Sequence, residues 1–115
     1  MKELDFKVED GVISISGKAI ELPYPVAEAL KIGELVIVRV EPTVGEIFNT
    51  NVFGITADGN YKWKIEESPH GTEADKPFTS ISVSQDDQLI AGNWNGVDYV
   101  VDVRNGAIKS VAFNK

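Results

Sequence analysis

The sequence predicts an all-β protein made of antiparallel hairpins and meanders, and three observations support that prediction. Two strand-turn-strand units, Asn51 to Ile65 and Leu89 to Phe113, alternate apolar and polar residues around Asp-Gly or Asn-Gly turns. The chain divides into about nine or ten such strands at short, even spacing. Only one short segment favours a helix. We therefore expect a single domain over residues 1–115, with blade-like sheets, a sandwich or a partly open barrel.

The first 25 residues predict two reversals followed by an interruption. Residues 4–8 alternate along a first strand, Glu9-Asp10-Gly11 turns, and residues 12–16 return. Gly17-Lys18 permits another reversal into a short third strand. The sheet is interrupted at Pro23-Tyr24-Pro25, because proline has no N–H to donate to a strand neighbour.

The next two segments contrast in pattern. Residues 26–32 are the only stretch with helical propensity, since Val26 and Leu30 lie one turn apart and Gly33 suits a helix end; at most one short helix is expected there. Residues 34–40, ELVIVRV, are apolar on both faces. That pattern is typical of a strand buried at the centre of a fold.

The remainder predicts a hairpin, a polar loop and a meander. In the hairpin over residues 51–65, Tyr61, Trp63 and Ile65 alternate with polar residues and are expected to share one buried face. Residues 67–77 contain two prolines and a glycine among polar residues and predict a surface loop. Four short strands with tight turns are expected from residue 79 to residue 113.

Composition limits the class of protein. With 115 residues, one hydrophobic core is expected. A net charge of −7, spread along the chain, disfavours nucleic acid and anionic membranes as partners and is compatible with a basic protein. No cysteine is present, so thiol nucleophiles and thiolate metal sites are excluded. Acidic residues interrupt the first 17 positions, which therefore do not resemble a signal peptide, and a cytoplasmic location is expected.

Two strings resemble the repeats of PQQ-type and related β-propellers. In VVDVRNGAI, residues 100–108, Asp102 follows apolar strand residues and Gly106 closes the turn; in VFGITADGNYKW, Gly59 lies in the turn and Trp63 follows it. The resemblance implies a tryptophan packed between blades, an aspartate bracing a turn, and antiparallel sheet. It carries over no quinone cofactor, and no cofactor is expected. The element N-V-F-x5-G-x3-W is also similar to small bacterial proteins of unknown function.

Catalytic and metal motifs are weak in this sequence. His70 is the single histidine and lies near Glu73 and Ser68 in the polar loop, which suggests a base-assisted site. No G-x-S-x-G motif accompanies it, and solvated loop histidines are common. Asp86-Asp87 and Asp58-Gly59-Asn60 lack the spacing of a calcium loop and are explained as turns. We therefore expect no catalytic residue and no metal ligand.

The aromatic residues are the better binding candidates. Trp94 lies in the turn Asn93-Trp94-Asn95-Gly96, where an exposed indole flanked by amides would stack on a sugar or anchor a protein partner. Small β-domains often plug the end of their core with a large aromatic, and this interpretation is preferred for Trp94. Tyr24, between two prolines, has the same two interpretations. The candidate binding residues are Trp94, Asn93, Asn95, Asp98 and Tyr24.

Three functions follow in order of preference. The first is a non-enzymatic protein-interaction module, such as an inhibitor, immunity-type or adaptor protein. The second is a carbohydrate or small-ligand binder that uses the exposed aromatics. The third is an enzyme built on the loop of residues 69–75. Exposed strand edges are also compatible with a homodimer formed by edge pairing or sheet stacking.

Overall fold

The computed structural model describes residues 5–112, and this part of the chain forms eleven strands in three antiparallel sheets, with no helix. The first sheet contains β1 (Phe6–Glu9), β2 (Val12–Ile15) and β3 (Lys18–Ile20). The middle sheet contains β4 (Val26–Ile32), β5 (Leu35–Val40), β6 (Val52–Thr56) and β7 (Tyr61–Lys64). The third sheet contains β8 (Phe78–Val83), β9 (Leu89–Asn93), β10 (Asp98–Val101) and β11 (Ile108–Val111).

The all-β prediction is confirmed, and each sheet is an up-and-down meander in which consecutive strands are neighbours. Both turns of the first sheet have the chemistry expected of tight hairpins. Asp10 and Gly11 have positive φ angles of 54° and 78°, and Ser16 and Gly17 have 52° and 82°, which is typical of type I′ turns. The predicted positions of Leu4 and Phe113 lie outside the described residues.

The helix allowed for residues 26–32 does not form, because the segment is strand β4, paired along β5 from Val26↔Val40 to Ile32↔Leu35. Gly33 and Glu34 make the two-residue connection, and Gly33 has a φ of 60°. Alanine, glutamate and leucine are good helix formers, but helix propensities differ by only about 0.7 kcal/mol among ordinary residues. Pairing along β5, which is apolar except at Arg39, outweighs that local preference.

Strand β5 lies inside the middle sheet, as predicted, but the described residues bury two hydrophobic clusters where one core was expected. Val36, Val38 and Val40 pack on one face with isoleucines of the first sheet. Ile37 points to the other face and packs with the third sheet, including Tyr99. Successive strand residues face opposite sides, so an apolar run can serve two cores at once.

Tyr61 does not share the buried face of Trp63 and Ile65. The pairs Gly54↔Trp63 and Ile55↔Tyr61 show a register shift, in which one extra β7 residue separates the two aromatics. Tyr61 therefore lies on the side of Phe53, with ring centroids 5.5 Å apart, and remains 53% exposed. Trp63 is buried, as predicted.

Three side chains join the middle sheet to the third sheet. Asn51 is fully buried and bonds Val40 and both backbone groups of Phe78. Glu28 accepts bonds from the Arg39 Nε atom at 2.7 Å and the Ile81 N–H at 3.0 Å. Trp63 donates its indole N–H to the Val103 carbonyl at 2.7 Å. The Asn51 contact fixes the end of the third sheet that holds Trp94, because Phe78 is the strand partner of Asn93.

Among the described residues, no helix has the length and apolar character needed to cross a membrane.

Candidate functional site

Trp94 stands exposed on the turn between β9 and β10, with 60% of its surface accessible. The turn is closed by bonds from the Asn93 N–H to the Val97 carbonyl and from the Gly96 N–H to the Asn93 carbonyl. The Trp94 N–H donates to the Pro77 carbonyl at 3.0 Å, which ties the turn to the neighbouring loop. The preferred interpretation of Trp94 as a core plug is therefore wrong, because its indole is exposed and matches the platform instead.

Asn93 is buried, and its amide braces the backbone. Its Nδ2 atom donates to the Lys76 carbonyl at 2.9 Å, and its Oδ1 atom accepts the Asn95 N–H at 3.0 Å. With 4% of its surface exposed, it has no polar atom directed toward an external ligand. Its role is to hold Trp94 against the loop.

Asn95 joins the turn to a buried hydroxyl network. Its Oδ1 atom accepts the Val97 N–H at 2.8 Å, and its Nδ2 atom lies 3.0 Å from Ser68 Oγ and 3.1 Å from the Tyr99 hydroxyl. Tyr99 is fully buried and places its hydroxyl 2.8 Å from Ser68 Oγ and 2.9 Å from His70 Nδ1. Side chains about 30 positions apart in the sequence thus meet around one oxygen.

The His70 ring lies parallel to the Tyr99 ring but offset toward its hydroxyl, at 5.8 Å between centroids and 8° between planes. His70 is exposed at the surface, whereas Ser68 is only 4% exposed. A hydroxyl at that depth, already surrounded by Asn95, His70 and Tyr99, is poorly placed to attack a substrate. Among residues 5–112, no buried side-chain nitrogen or oxygen atom lacks a hydrogen-bond partner, and this cluster is part of that pattern.

The loop of residues 67–77 is anchored along its length. The Asn49 Nδ2 atom donates to the Ala74 carbonyl at 2.7 Å, and its Oδ1 atom accepts the Lys76 N–H at 2.8 Å. The Lys76 ammonium group donates to the His70 and Gly71 carbonyls. We name the loop of residues 67–77, together with the turn of residues 93–97, the Trp94 platform.

The two remaining candidate residues lie outside the platform's centre. Asp98 is half-buried at the start of β10, opposite Gly92, where its carboxylate occupies space that a β-carbon at Gly92 would need. Tyr24 packs on Phe48 at 5.3 Å, beside the cluster shared with the first sheet. Its hydroxyl bonds Glu46, and this bond, with some desolvation, raises the pKa of Tyr24 above its ordinary value.

Trp63 and Asp102, the two positions on which the propeller resemblance rested, both have local structural roles. Trp63 packs between two four-stranded sheets, against Gly106 of the β10–β11 turn. Asp102 braces that turn by accepting the Arg104 backbone N–H at 2.9 Å. Hydrogen bonding from the Arg104 side chain and backbone lowers the pKa of Asp102 to about 2. The likeness is confined to these local features.

Sequence reasoning noted Ser68 as a partner for His70 but missed Tyr99 and its contact with Ser68. Tyr99 follows the strand alternation and resembles any core aromatic, and nothing local connects it with a serine in a polar loop.

In the described residues, no three His, Cys, Asp or Glu side chains are grouped to hold a metal ion.

The chain belongs to a family described as a domain of unknown function, DUF7957, whose model matches residues 1–113. No curated protein and no solved structure matches this chain significantly.

Proposed function

We propose that this protein is a non-enzymatic protein-interaction module that binds a basic partner through the Trp94 platform. The observation that carries the proposal is a 60% exposed indole on a turn whose backbone and neighbours are fixed by hydrogen bonds. Tryptophan is enriched among the residues that dominate binding energy, and a preorganised anchor loses little entropy on binding.

The distribution of polar groups favours a protein over a sugar as the ligand. A sugar site needs several polar atoms converging beside the stacking ring. Here the amides of Asn93 and Asn95 are used within the protein, and the Ser68 hydroxyl is buried. The polar groups around the indole are already hydrogen-bonded within the protein, so the indole is better suited to an apolar contact with a protein surface.

Charge favours a basic partner. The loop of the platform carries Glu67, Glu73 and Asp75, all exposed, against the single cation Lys76, whose ammonium group is held by backbone carbonyls. The whole chain carries a net charge of −7. Charge complementarity of this kind raises association rates and selects partners.

Trp94→Ala is expected to weaken binding to the cellular partner by at least about 30-fold, because hot-spot aromatics contribute about 2 kcal/mol or more. The partner is first captured with immobilised wild-type protein, and both variants are then measured with the purified partner by isothermal titration calorimetry. Val44→Ala is the matched control, since Val44 is 99% exposed on a different loop.

The control is expected to bind within twofold of the wild type. Equal affinity of Trp94→Ala and wild-type protein would contradict the proposal. A glycan panel that shifts Trp94 fluorescence would instead support the small-ligand alternative, and loss of a measured activity in His70→Ala would support the enzyme.

A further inference from the structure

A second surface, independent of the Trp94 platform, lies beside β3 in the first sheet. Residues 19–23 form a common wall between two concavities of about 530 and 750 Å³. The smaller one is closed on its other side by the β1–β2 turn and the segment of residues 23–25. Its size is within the range typical of ligand sites.

The register of the sheet leaves backbone groups of β3 facing this surface. Strand β3 is the edge of its sheet and pairs only with β2 among the described strands. Ile15↔Lys18 closes the two-residue turn, so Lys18 and Ile20 direct their N–H and C=O groups toward β2. Ala19, between them, therefore directs its N–H and C=O groups outward, where another strand could pair.

The walls of the smaller concavity are held in place. The Val26 N–H donates to the Gly11 carbonyl at 2.8 Å, which fixes the β1–β2 turn against the segment that enters β4. Two prolines restrict that segment. The shared wall is held from the larger concavity, where the Tyr61 hydroxyl donates to the Glu21 carbonyl. The smaller concavity, which we call the groove, is thus largely formed before any ligand binds.

The lining combines apolar surface with negative charge. Val12 is 49% exposed, and Leu22 and Tyr24 are half-buried beside it. Among the described residues that line this concavity, Asp10 and Glu21 are the charged ones, and none is a lysine or arginine. An apolar floor with two carboxylates is complementary to an apolar side chain next to a lysine or arginine.

We propose that the β3 edge binds an extended segment of a partner protein, in which a lysine or arginine neighbours an apolar residue, by strand addition. The segment pairs with the outward N–H and C=O groups of Ala19. Its apolar side chain lies on Val12 and Tyr24, and its cation lies near Asp10 and Glu21. Main-chain bonds provide affinity in this mode of recognition, and alternate side chains provide specificity.

The probe is a fluorescein-labelled hexapeptide of alternating arginine and valine, measured by fluorescence anisotropy at low salt. The same peptide with glutamate in place of arginine is the control ligand. The arginine peptide is expected to bind at least about tenfold more tightly than the glutamate peptide, since like charges disfavour the latter. When the arginine peptide binds, NMR is expected to show changes in the backbone amide chemical shifts of Val12, Ala19 and Glu21 of the protein.

Two protein variants test the two halves of the proposal. Ala19→Pro removes an outward N–H, and proline is tolerated at such edge positions, so the fold should persist while peptide affinity falls at least about fivefold. Asp10→Asn with Glu21→Gln removes both carboxylates; asparagine tolerates the positive φ of residue 10. This double variant is expected to weaken binding about three- to tenfold.

The matched control is Asp87→Asn with Glu34→Gln. Asp87 also has a positive φ, 61°, and both residues are exposed outside the groove. This control should bind the peptide as the wild type does. Equal binding of both peptides, equal losses in the control, or shift changes elsewhere would overturn the proposal. A dimer that Ala19→Pro dissociates would also overturn it, because a second copy would then occupy the edge.

Discussion

Replacing Asn51 with alanine is expected to lower the free energy of unfolding by about 4 kcal/mol, one of the largest effects of any single side chain in this protein. The Asn51 amide donates to the Val40 and Phe78 carbonyls at 2.9 Å each and accepts the Phe78 N–H at 2.8 Å. Alanine would leave these backbone groups unpaired in a fully buried site. Each such group costs about 1 to 3 kcal/mol.

Urea denaturation of three variants separates hydrogen bonding from packing. Asn51→Asp is almost isosteric but cannot donate to either carbonyl when ionised, so it should be destabilised as strongly as Asn51→Ala. Asn60→Ala, at an exposed turn position, should remain within about 0.5 kcal/mol of the wild type. An Asn51→Asp variant as stable as the wild type would show that the amide donor does not hold the sheets together.

The second large effect is expected at Trp63, where alanine should cost about 4 kcal/mol. Trp63 is 7% exposed, and its indole N–H donates to the Val103 carbonyl. The ring lies between Gly54 and Gly106, where an added β-carbon would come within 2.7 Å of indole atoms in each case. Removal of the ring therefore opens a cavity between the two larger sheets.

The other tryptophan supplies the matched comparison. Trp94→Ala deletes the same side chain from an exposed turn and should change the free energy of unfolding by less than about 0.5 kcal/mol. Trp63→Phe should show an intermediate loss, because it keeps an aromatic ring and loses the hydrogen bond to Val103. Similar losses at both tryptophans would contradict the contrasting burial of the two residues.

The sequence was sufficient for elements whose signal is local. The doubly apolar run that became β5 predicted its central place, and glycine after Asp10 or Ser16 predicted the tight turns. Residues 26–32 were misjudged because helix propensity is local, while the advantage of strand β4 comes from its partner β5. Tyr61 was placed on the wrong face because a one-residue bulge changes the side that a strand residue faces, and period-two counting cannot detect it.

The candidate site was only half visible in the sequence. Trp94 was recognised from its turn, but the sequence favoured a buried plug, and the structure places its indole outside. Asn93 resembled a ligand-binding amide but braces the backbone. The Tyr99 network depends on contacts between a loop and a strand about 30 positions apart, and no periodic pattern records such a contact. Asn51 carries no sequence signal either, since its importance comes from its hydrogen bonds to Val40, at the end of β5, and Phe78, at the start of β8.

The central claim is that hydrogen bonding around Tyr99 holds the Trp94 platform rigid, with the indole in water before any partner binds. Labelling with 5-fluorotryptophan and ¹⁹F NMR tests it directly, because the described chain has one exposed and one buried indole. We expect two sharp resonances. The Trp94 resonance, identified by its loss in Trp94→Phe, should be the one that shifts between H₂O and D₂O. The same resonance should broaden in Tyr99→Phe. Two solvent-insensitive resonances, or a Trp94 signal unchanged in Tyr99→Phe, would contradict the account.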